Sequence, residues 1–276
     1  MFARIAALAA SELRLGVRNR WVVLSVLILA LFALALAFLG GGASTATRVD
    51  RLTLTTASLA TLSVYLVPLI ALLLSYDTLA GEIERGTLAL VLATPAARTE
   101  VLLAKFVGHV AVITLAIVAG YGVAALAVIR ADGWDPGGAV HFARLIGTAV
   151  LLGAAFVALG MLVSALVRQT GTAAAIAVGA WLVVVVLYDL GLLGALLADD
   201  GGSFTRTAFP WLLVANSGDA FRLYNLAAIG DGAPTGGLDG AARTLPFPPA
   251  TALAVLGLWL AGGIAGAHLA FRRTTP

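Results

Sequence analysis

Residues 21–39 read WVVLSVLILALFALALAFL and carry no charged side chain. A helix needs about 20 mostly apolar residues to cross the hydrocarbon core of a bilayer. Five further stretches meet that requirement: 57–76, with Pro68; 101–129, with Lys105 and His109; 145–167; 172–198, with Asp189; and 250–270. Long runs of Leu, Ala and Val favour helices over the short alternating strands of a membrane barrel. We therefore predict an all-α polytopic membrane protein with six transmembrane helices.

The composition excludes a water-soluble protein. Hydrophobic residues make up 61% of the 276 positions and charged residues 11%, against about 25% charged in soluble domains. The absence of cysteine excludes disulfides, thiol catalysis and thiolate metal sites. His109, His141 and His268 share no metal-ligand spacing, and Met1 lies far from Met161. We therefore expect no metal site in this chain.

The distribution of charge predicts the orientation. Residues 1–20 mix charged side chains with Leu and Ala, which predicts an amphipathic helix on the inner leaflet. With cytoplasmic termini, the short inner segments hold 10 of the 17 Lys and Arg residues, and most outer acids lie in the long outer loops. The positive-inside rule then places both termini in the cytoplasm. The excess of basic over acidic residues reflects this topology, so we expect a lipid membrane and no nucleic acid as partner.

The segment between spans two and three carries the strongest functional signal. Residues 77–98 read DTLAGEIERGTLALVLATPAAR. The acidic start at Glu82 and Glu84, the apolar run and the stop at Pro95 predict one short helix. Because the residues after Gly86 are too apolar for a free cytoplasmic loop, we expect them to rest against the membrane or a partner. The whole chain, 1–276, is then one transmembrane domain with an interfacial helix at 1–20, this segment at 77–98 and an outer loop at 199–249.

This segment resembles the signature of ABC-2 type transporter permeases. The resemblance is carried by Glu82-x-Glu84-x-Gly86-Thr87-Leu88 and the residues that follow it, and the N-terminal helix, six spans and long final outer loop extend it over the whole chain. In that family the segment is a coupling helix that docks into a groove of an ATP-binding subunit. The resemblance implies these coupling residues: Gly81, Glu82, Ile83, Glu84, Arg85, Gly86, Thr87, Leu88, Leu92, Pro95 and Arg98.

A narrower resemblance points to a biological setting. Residues 75–88 (SYDTLAGEIERGTL), followed by Lys105-Phe106-x-Gly108-His109, are similar to the permeases that serve maturation of the copper enzyme nitrous oxide reductase. This implies a non-catalytic, multi-pass subunit of the bacterial inner membrane. Its implied partners are two copies of an ATP-binding cassette subunit, a second copy of itself and a periplasmic protein.

The chain itself lacks the means to bind ATP by a phosphate-binding loop. Such a loop needs G-x-x-x-x-G-K-[ST], whereas Lys105, the only lysine, follows Leu102-Leu103-Ala104 and precedes Phe106. We therefore expect no cofactor in this chain, with ATP and Mg on the partner ATPase subunit.

The outer loop offers candidate contacts for a periplasmic partner. The aromatic spacing predicts a helix over 211–229, and the contacts are Trp211, Phe221, Arg222 and Tyr224. The alternative is a solvated loop with one interfacial helix, because Trp and Tyr also favour the membrane surface without a partner.

Two other functions stay open. An ion-coupled secondary carrier would place charges and broken helices near the bilayer midplane, and no span clearly has these. A non-transporting membrane scaffold would present the same docking surfaces as a transporter, so sequence does not separate the two.

Overall fold

The computed structural model describes residues 2–39, 50–93, 97–199, 201–229 and 246–274. Within those ranges the regular structure is helical. The helices are α1 (Phe2–Val17), α2 (Arg20–Leu39), α3 (Arg51–Ser75), α4 (Ala80–Glu84), α5 (Leu88–Leu92), α6 (Arg98–Asp132), α7 (Pro136–Leu166), α8 (Thr170–Trp181), α9 (Tyr188–Asp199), α10 (Ser203–Thr207), α11 (Phe209–Ala215), α12 (Ser217–Ile229) and α13 (Ala250–Arg273), with a π-helical turn at Leu182–Leu187 between α8 and α9.

The six predicted spans are confirmed. Among the described residues, six helices could cross a membrane by length and composition: α2, α3 with its continuation α4, α6, α7, α8 with α9, and α13. Two of them begin earlier than predicted because aspartate side chains cap them. Asp50 accepts a hydrogen bond from Thr53 N at 2.9 Å, and Asp135 accepts one from Gly138 N at 2.6 Å.

Helix α7 lies at the centre of the fold and packs against α3, α6 and α13. In its most apolar stretch 67% of residues are buried, against 22% in both the α8–α9 span and α13. A Cβ atom at Gly160 would overlap Ser75 Oγ, so this glycine permits the close packing of α7 on α3. The apolar surfaces of α2, α8–α9 and α13 are therefore left for lipid or for another subunit.

The predicted helix over 211–229 is wrong as a single element. It divides into α11 and α12 because Asn216 adopts an extended conformation, and its Oδ1 accepts a hydrogen bond from Gly218 N at 2.8 Å. Asn216 Nδ2 also donates to Val184 O at 2.5 Å. Val184 lies in the π-helical turn, where the usual backbone pairing is displaced. Helix α12 is largely buried against α3, α7 and α13, so this part of the outer loop belongs to the core.

Candidate functional site

The segment between spans two and three forms two short helices, which corrects the prediction of one. Gly86 separates α4 from α5 with a φ of 69°, the left-handed region that favours glycine. Gly86 N donates to Ile83 O at 3.0 Å and Thr87 N donates to Glu82 O at 2.9 Å. This pair of hydrogen bonds is the Schellman motif, which ends a helix at such a glycine. The sequence Gly86-Thr87-Leu88 therefore encodes a turn that ends α4 and separates it from α5.

Backbone and hydroxyl groups fasten the start of the segment to the transmembrane helices. Ser164 Oγ, buried in α7, accepts hydrogen bonds from both Leu79 N and Ala80 N at 2.9 Å. Thr78 Oγ1 lies 3.2 Å from Nε2 of His109 in α6. Because buried N–H groups without an acceptor are costly, these contacts fix α4 on α6 and α7.

An ion triad ties the segment to the N-terminal helix. Lys105 Nζ donates to Glu82 Oε1 at 2.6 Å and to Glu12 Oε1 at 2.8 Å. Lys105 is buried in α6, and the Glu12 and Glu82 side chains are 25% and 15% exposed. A Cβ at Gly108 would lie 2.5 Å from Glu12 Cβ, so α1 reaches the triad only because this position is glycine. Helices α1, α4 and α6 therefore share one charged contact.

The triad borders an open polar cavity. The cavity has a volume of about 270 Å³, and its lining includes Asn19, Asp77, Arg85 and His109 beside the triad. Polar walls at the predicted inner interface, between α1 and the coupling segment, leave room for water beside the triad. The triad is therefore less desolvated than an ion pair sealed inside a protein core.

Two further residues of the predicted coupling set anchor other spans. Glu84 Oε2 accepts hydrogen bonds from Thr170 N at 2.9 Å and Thr170 Oγ1 at 2.6 Å, at the start of α8. Arg98 donates to Phe271 O at 2.9 Å and to Thr274 O at 2.6 Å, where it satisfies carbonyls at the end of α13. The segment and its flanks therefore contact the inner ends of spans three to six.

The coupling residues divide into an inward and an outward set. Gly81 and Leu88 are buried, and Glu82 faces Lys105. Arg85 and Gly86 are exposed, together with Glu84 and with Leu90, which is 71% exposed. The remaining residues of the predicted set are Ile83, Thr87 and Arg98, which are half-buried; Leu92, whose side chain is not among those described; and Pro95, which lies outside the described residues.

Sequence reasoning missed four residues of this site: Glu12, Leu90, Ser164 and Thr170. Glu12, Ser164 and Thr170 are distant in sequence from residue 82 and belong to other helices, so no local spacing connects them to the segment. The exposure of Leu90 was not predictable, because the apolar run around it predicted a single helix. In the structure the turn at Gly86 begins a separate helix that contains Leu90.

A family model described as ABC-2 family transporter protein matches residues 6–274. The chain belongs to the ABC-2 family of transporter proteins. It is similar to the "Probable ABC transporter permease protein NosY" of Stutzerimonas stutzeri, with 40% identity over 268 residues that cover 96% of this chain and 97% of the relative. The protein of the same name from Pseudomonas aeruginosa is 39% identical with the same coverage. The chain is thus the multi-pass membrane permease subunit of an ABC transporter, a non-catalytic subunit.

The four predicted periplasmic contacts of this ABC-2 permease have different exposures. Trp211 is 53% exposed and Tyr224 is half-buried. Phe221 and Arg222 are buried in α12, so their side chains form no surface on this chain. The buried pair were predicted from an aromatic pattern that, in the structure, faces the transmembrane helices. The partner surface itself stays a prediction, with Trp211 as its exposed member.

Arg222 instead belongs to a buried polar cluster at the predicted outer end of the permease. Its guanidinium donates a hydrogen bond to Asp219, and its Nη1 lies 3.8 Å from Oδ2 of Asp189 in α9. Tyr65 OH, from α3, donates to the same Asp189 oxygen at 3.2 Å. The cluster therefore links α3, α9 and α12 and explains how a carboxylate is accommodated in span five.

Within the ranges the structure describes, His, Asp and Glu side chains form no group of three or more that could hold a metal ion. The sequence expectation of a chain without its own metal site stays a prediction, because part of the outer loop lies outside those ranges.

Proposed function

We propose that this permease couples ATP hydrolysis by a separate ATP-binding cassette subunit to export across the bacterial inner membrane, or to conformational work on a periplasmic partner. The setting we propose is copper-site maturation of nitrous oxide reductase, which the similarity to two NosY proteins supports. The observation that carries the proposal is the segment from Asp77 to Ala93, which anchors to several spans on one side and exposes residues on the other.

The two sets of residues in this segment suggest a division of labour. The outward set, Arg85 and Leu90, would contact the ATPase subunit. The inward set would pass its movement to the spans through Glu82 on Lys105 and through the backbone on Ser164, and the exposed Glu84 would add a contact with Thr170. Because short helices held by several contacts move as a unit, closure of the ATPase would shift the inner ends of spans three to five together.

The proposed assembly contains two copies of this chain and two ATPase subunits, as in other transporters built from six-span halves. ATP and Mg²⁺ bind to the ATPase subunits in this proposal, and this chain holds no cofactor. Both termini face the cytoplasm. In support, Lys105 joins α1 to the coupling segment and Arg98 joins its flank to the C-terminal end of α13, so both ends of the chain lie on the side of that segment. The outer face, with Trp211, would meet a periplasmic NosD-like protein.

Variants of the outward set test the contact with the ATPase. We expect Arg85→Glu combined with Leu90→Asp to abolish co-purification of the ATPase subunit, because both side chains are exposed. The matched control is Arg14→Glu on the exposed part of α1. Full retention of the ATPase by the double variant would contradict the proposed docking face.

Charge reversal at Glu82 and Glu84 tests transmission of movement to the spans. We expect Glu82→Lys with Glu84→Lys to uncouple ATP hydrolysis from transport or from work on the partner, because both carboxylate anchors are lost. If ATPase co-purification and partner-stimulated activity both stay at wild-type levels, the segment is not the coupling element. Transport that persists in vesicles without any ATPase subunit would favour an ion-coupled carrier instead.

A further inference from the structure

A cavity lies at the inner ends of α7 and α13, apart from the ion triad. Its volume is about 450 Å³. Apolar walls come from Leu162 and Leu269, and Arg168 and Arg273 lie at its polar end. Ile83 of the coupling segment completes the lining. The cavity therefore joins an apolar wall, two cations and one residue of the proposed coupling element.

The apolar wall continues outward between the same two helices. A second cavity of about 340 Å³ is lined by Leu159, Trp259 and Gly262, and it shares Leu162 with the first. From Trp259 to Arg273 an α-helix rises about 21 Å, whereas one leaflet of the hydrocarbon core is about 15 Å deep. The two cavities together form a groove long enough for one acyl chain with its headgroup at the arginine end.

The geometry points to a binding site for an anionic phospholipid of the inner leaflet. We propose that the headgroup phosphate lies at Arg168 and Arg273 and that an acyl chain follows Leu162 towards Gly262. Basic pockets between transmembrane helices on the cytoplasmic side bind anionic headgroups. Arg168 also has an interaction within the chain, so Arg273 makes the larger contribution.

Charge and depth favour a lipid over the other occupants. A soluble ATPase subunit does not reach the part of the groove beside Trp259, which lies at hydrocarbon depth. Contact with a second copy of this chain through an apolar helix would match the wall of the groove but not its cationic end. A phospholipid matches both parts of the groove, because its phosphate suits the arginine end and its acyl chain suits the apolar wall.

The lipid would also contact the coupling element through Ile83. This consequence rests on the proposed function, because it requires the segment to transmit the work of the ATPase. The binding site itself depends on that proposal only through the cytoplasmic orientation of the arginines. Lipid binding and ATPase stimulation are therefore measured separately.

Lipid retention by the purified transporter complex tests the site directly. Native mass spectrometry would compare palmitoyl-oleoyl phosphatidylglycerol with the phosphatidylcholine of the same chains. We expect the wild type to retain phosphatidylglycerol preferentially. Arg168→Gln with Arg273→Gln should weaken retention by about fivefold to thirtyfold, with the larger share lost through Arg273. The matched control is Arg272→Gln, an exposed neighbour outside the lining of the groove, and we expect it to change retention less than twofold.

A second variant tests the acyl-chain end. No atom lies within 4 Å of a Cβ at Gly262, so Gly262→Leu should leave the fold intact and fill the groove. We expect it to weaken retention of both lipids. Water-soluble glycerol 3-phosphate at millimolar concentration should not displace the lipid, since the headgroup alone lacks the chain contacts.

Several outcomes would overturn the site. Equal retention of the two lipids would exclude anion recognition, and equal retention by the double arginine variant and the wild type would exclude these residues. Displacement by glycerol 3-phosphate would identify a phosphate site without a lipid. A loss of bound lipid with unchanged ATPase coupling would refute only the link through Ile83, whereas failure of the proposed function would leave lipid retention unaffected.

Discussion

Replacing Lys105 with methionine would remove the cation that Glu12 and Glu82 share. Each carboxylate would lose one charge-assisted hydrogen bond, of 2.8 Å and 2.6 Å respectively. Removing one partner from a buried ion pair costs about 3–5 kcal/mol. Because Glu12 and Glu82 are 25% and 15% exposed and border a cavity that can admit water, we take the lower end, about 3 kcal/mol. The change therefore raises the equilibrium constant for detachment of α4 by about 100-fold.

Hydrogen–deuterium exchange of the purified complex measures that opening. Exchange of amides that open locally reports the free energy of the local unit. The informative amides are Ile83 N, bonded to Leu79 O at 2.9 Å, and Arg85 N, bonded to Gly81 O at 3.1 Å. We expect Lys105→Met to accelerate their exchange by about 100-fold and to leave the central part of α7 protected.

Two further variants make this prediction specific. Adding Glu12→Gln and Glu82→Gln to Lys105→Met should restore most of the protection, because neutral partners no longer leave buried charges unpaired. Glu100→Gln is the matched control on the same helix, since Glu100 only accepts a hydrogen bond from Ala97 N at 3.1 Å in an exposed cap. Unchanged exchange in Lys105→Met would refute the reasoning. Equal acceleration in Glu100→Gln would indicate general loosening of α6 instead.

Three further substitutions test other contacts. Ser164→Ala leaves two buried amides without an acceptor, so we expect a loss of about 2 kcal/mol in stability, measured by thermal unfolding in detergent. The control is Ser11→Ala, at an exposed position of α1. Gly108→Leu should displace α1 because its Cβ would lie 2.5 Å from Glu12 Cβ, and faster proteolysis confined to the N-terminal helix would show it; an unchanged digest would contradict this packing. Asn216→Ala removes both the acceptor that caps α12 and the donor to Val184 O, so we expect it to unfold at a lower temperature than the wild type, and an unchanged midpoint would refute the contribution of these contacts.

The starts and breaks of helices show how far local sequence signals extend. The spans were predictable because bilayer thickness fixes their length and apolar character. Their true beginnings at Arg51 and Pro136 were missed, since Asp50 and Asp135 extend the helices beyond the hydrocarbon. Breaks at Gly86 and Asn216 were missed for a related reason. Each depends on a hydrogen-bonding pattern that the hydrophobic run around it conceals.

The coupling segment shows the same limit for function. Its location and its residue types were evident from the charged start, the apolar run and the family resemblance. Which of its side chains are buried and which are exposed was not evident. In α12, likewise, Phe221 and Arg222 were predicted to form a surface contact and are buried. A short segment has no periodicity long enough to reveal which face is buried.

The sequence by itself determined the class of this protein. The chain has too few charges to cover a soluble fold, and it has six apolar runs with an acidic-apolar segment between the second and third. These features require a polytopic helical membrane protein, because only helices and closed barrels can span a bilayer. Only the tertiary structure decided which charges act together. Lys105 reaches Glu12 and Glu82, and Asp189 reaches Arg222, from helices far apart in the chain. Side chains paired across helices leave no pattern in the sequence, since their distance is set by packing.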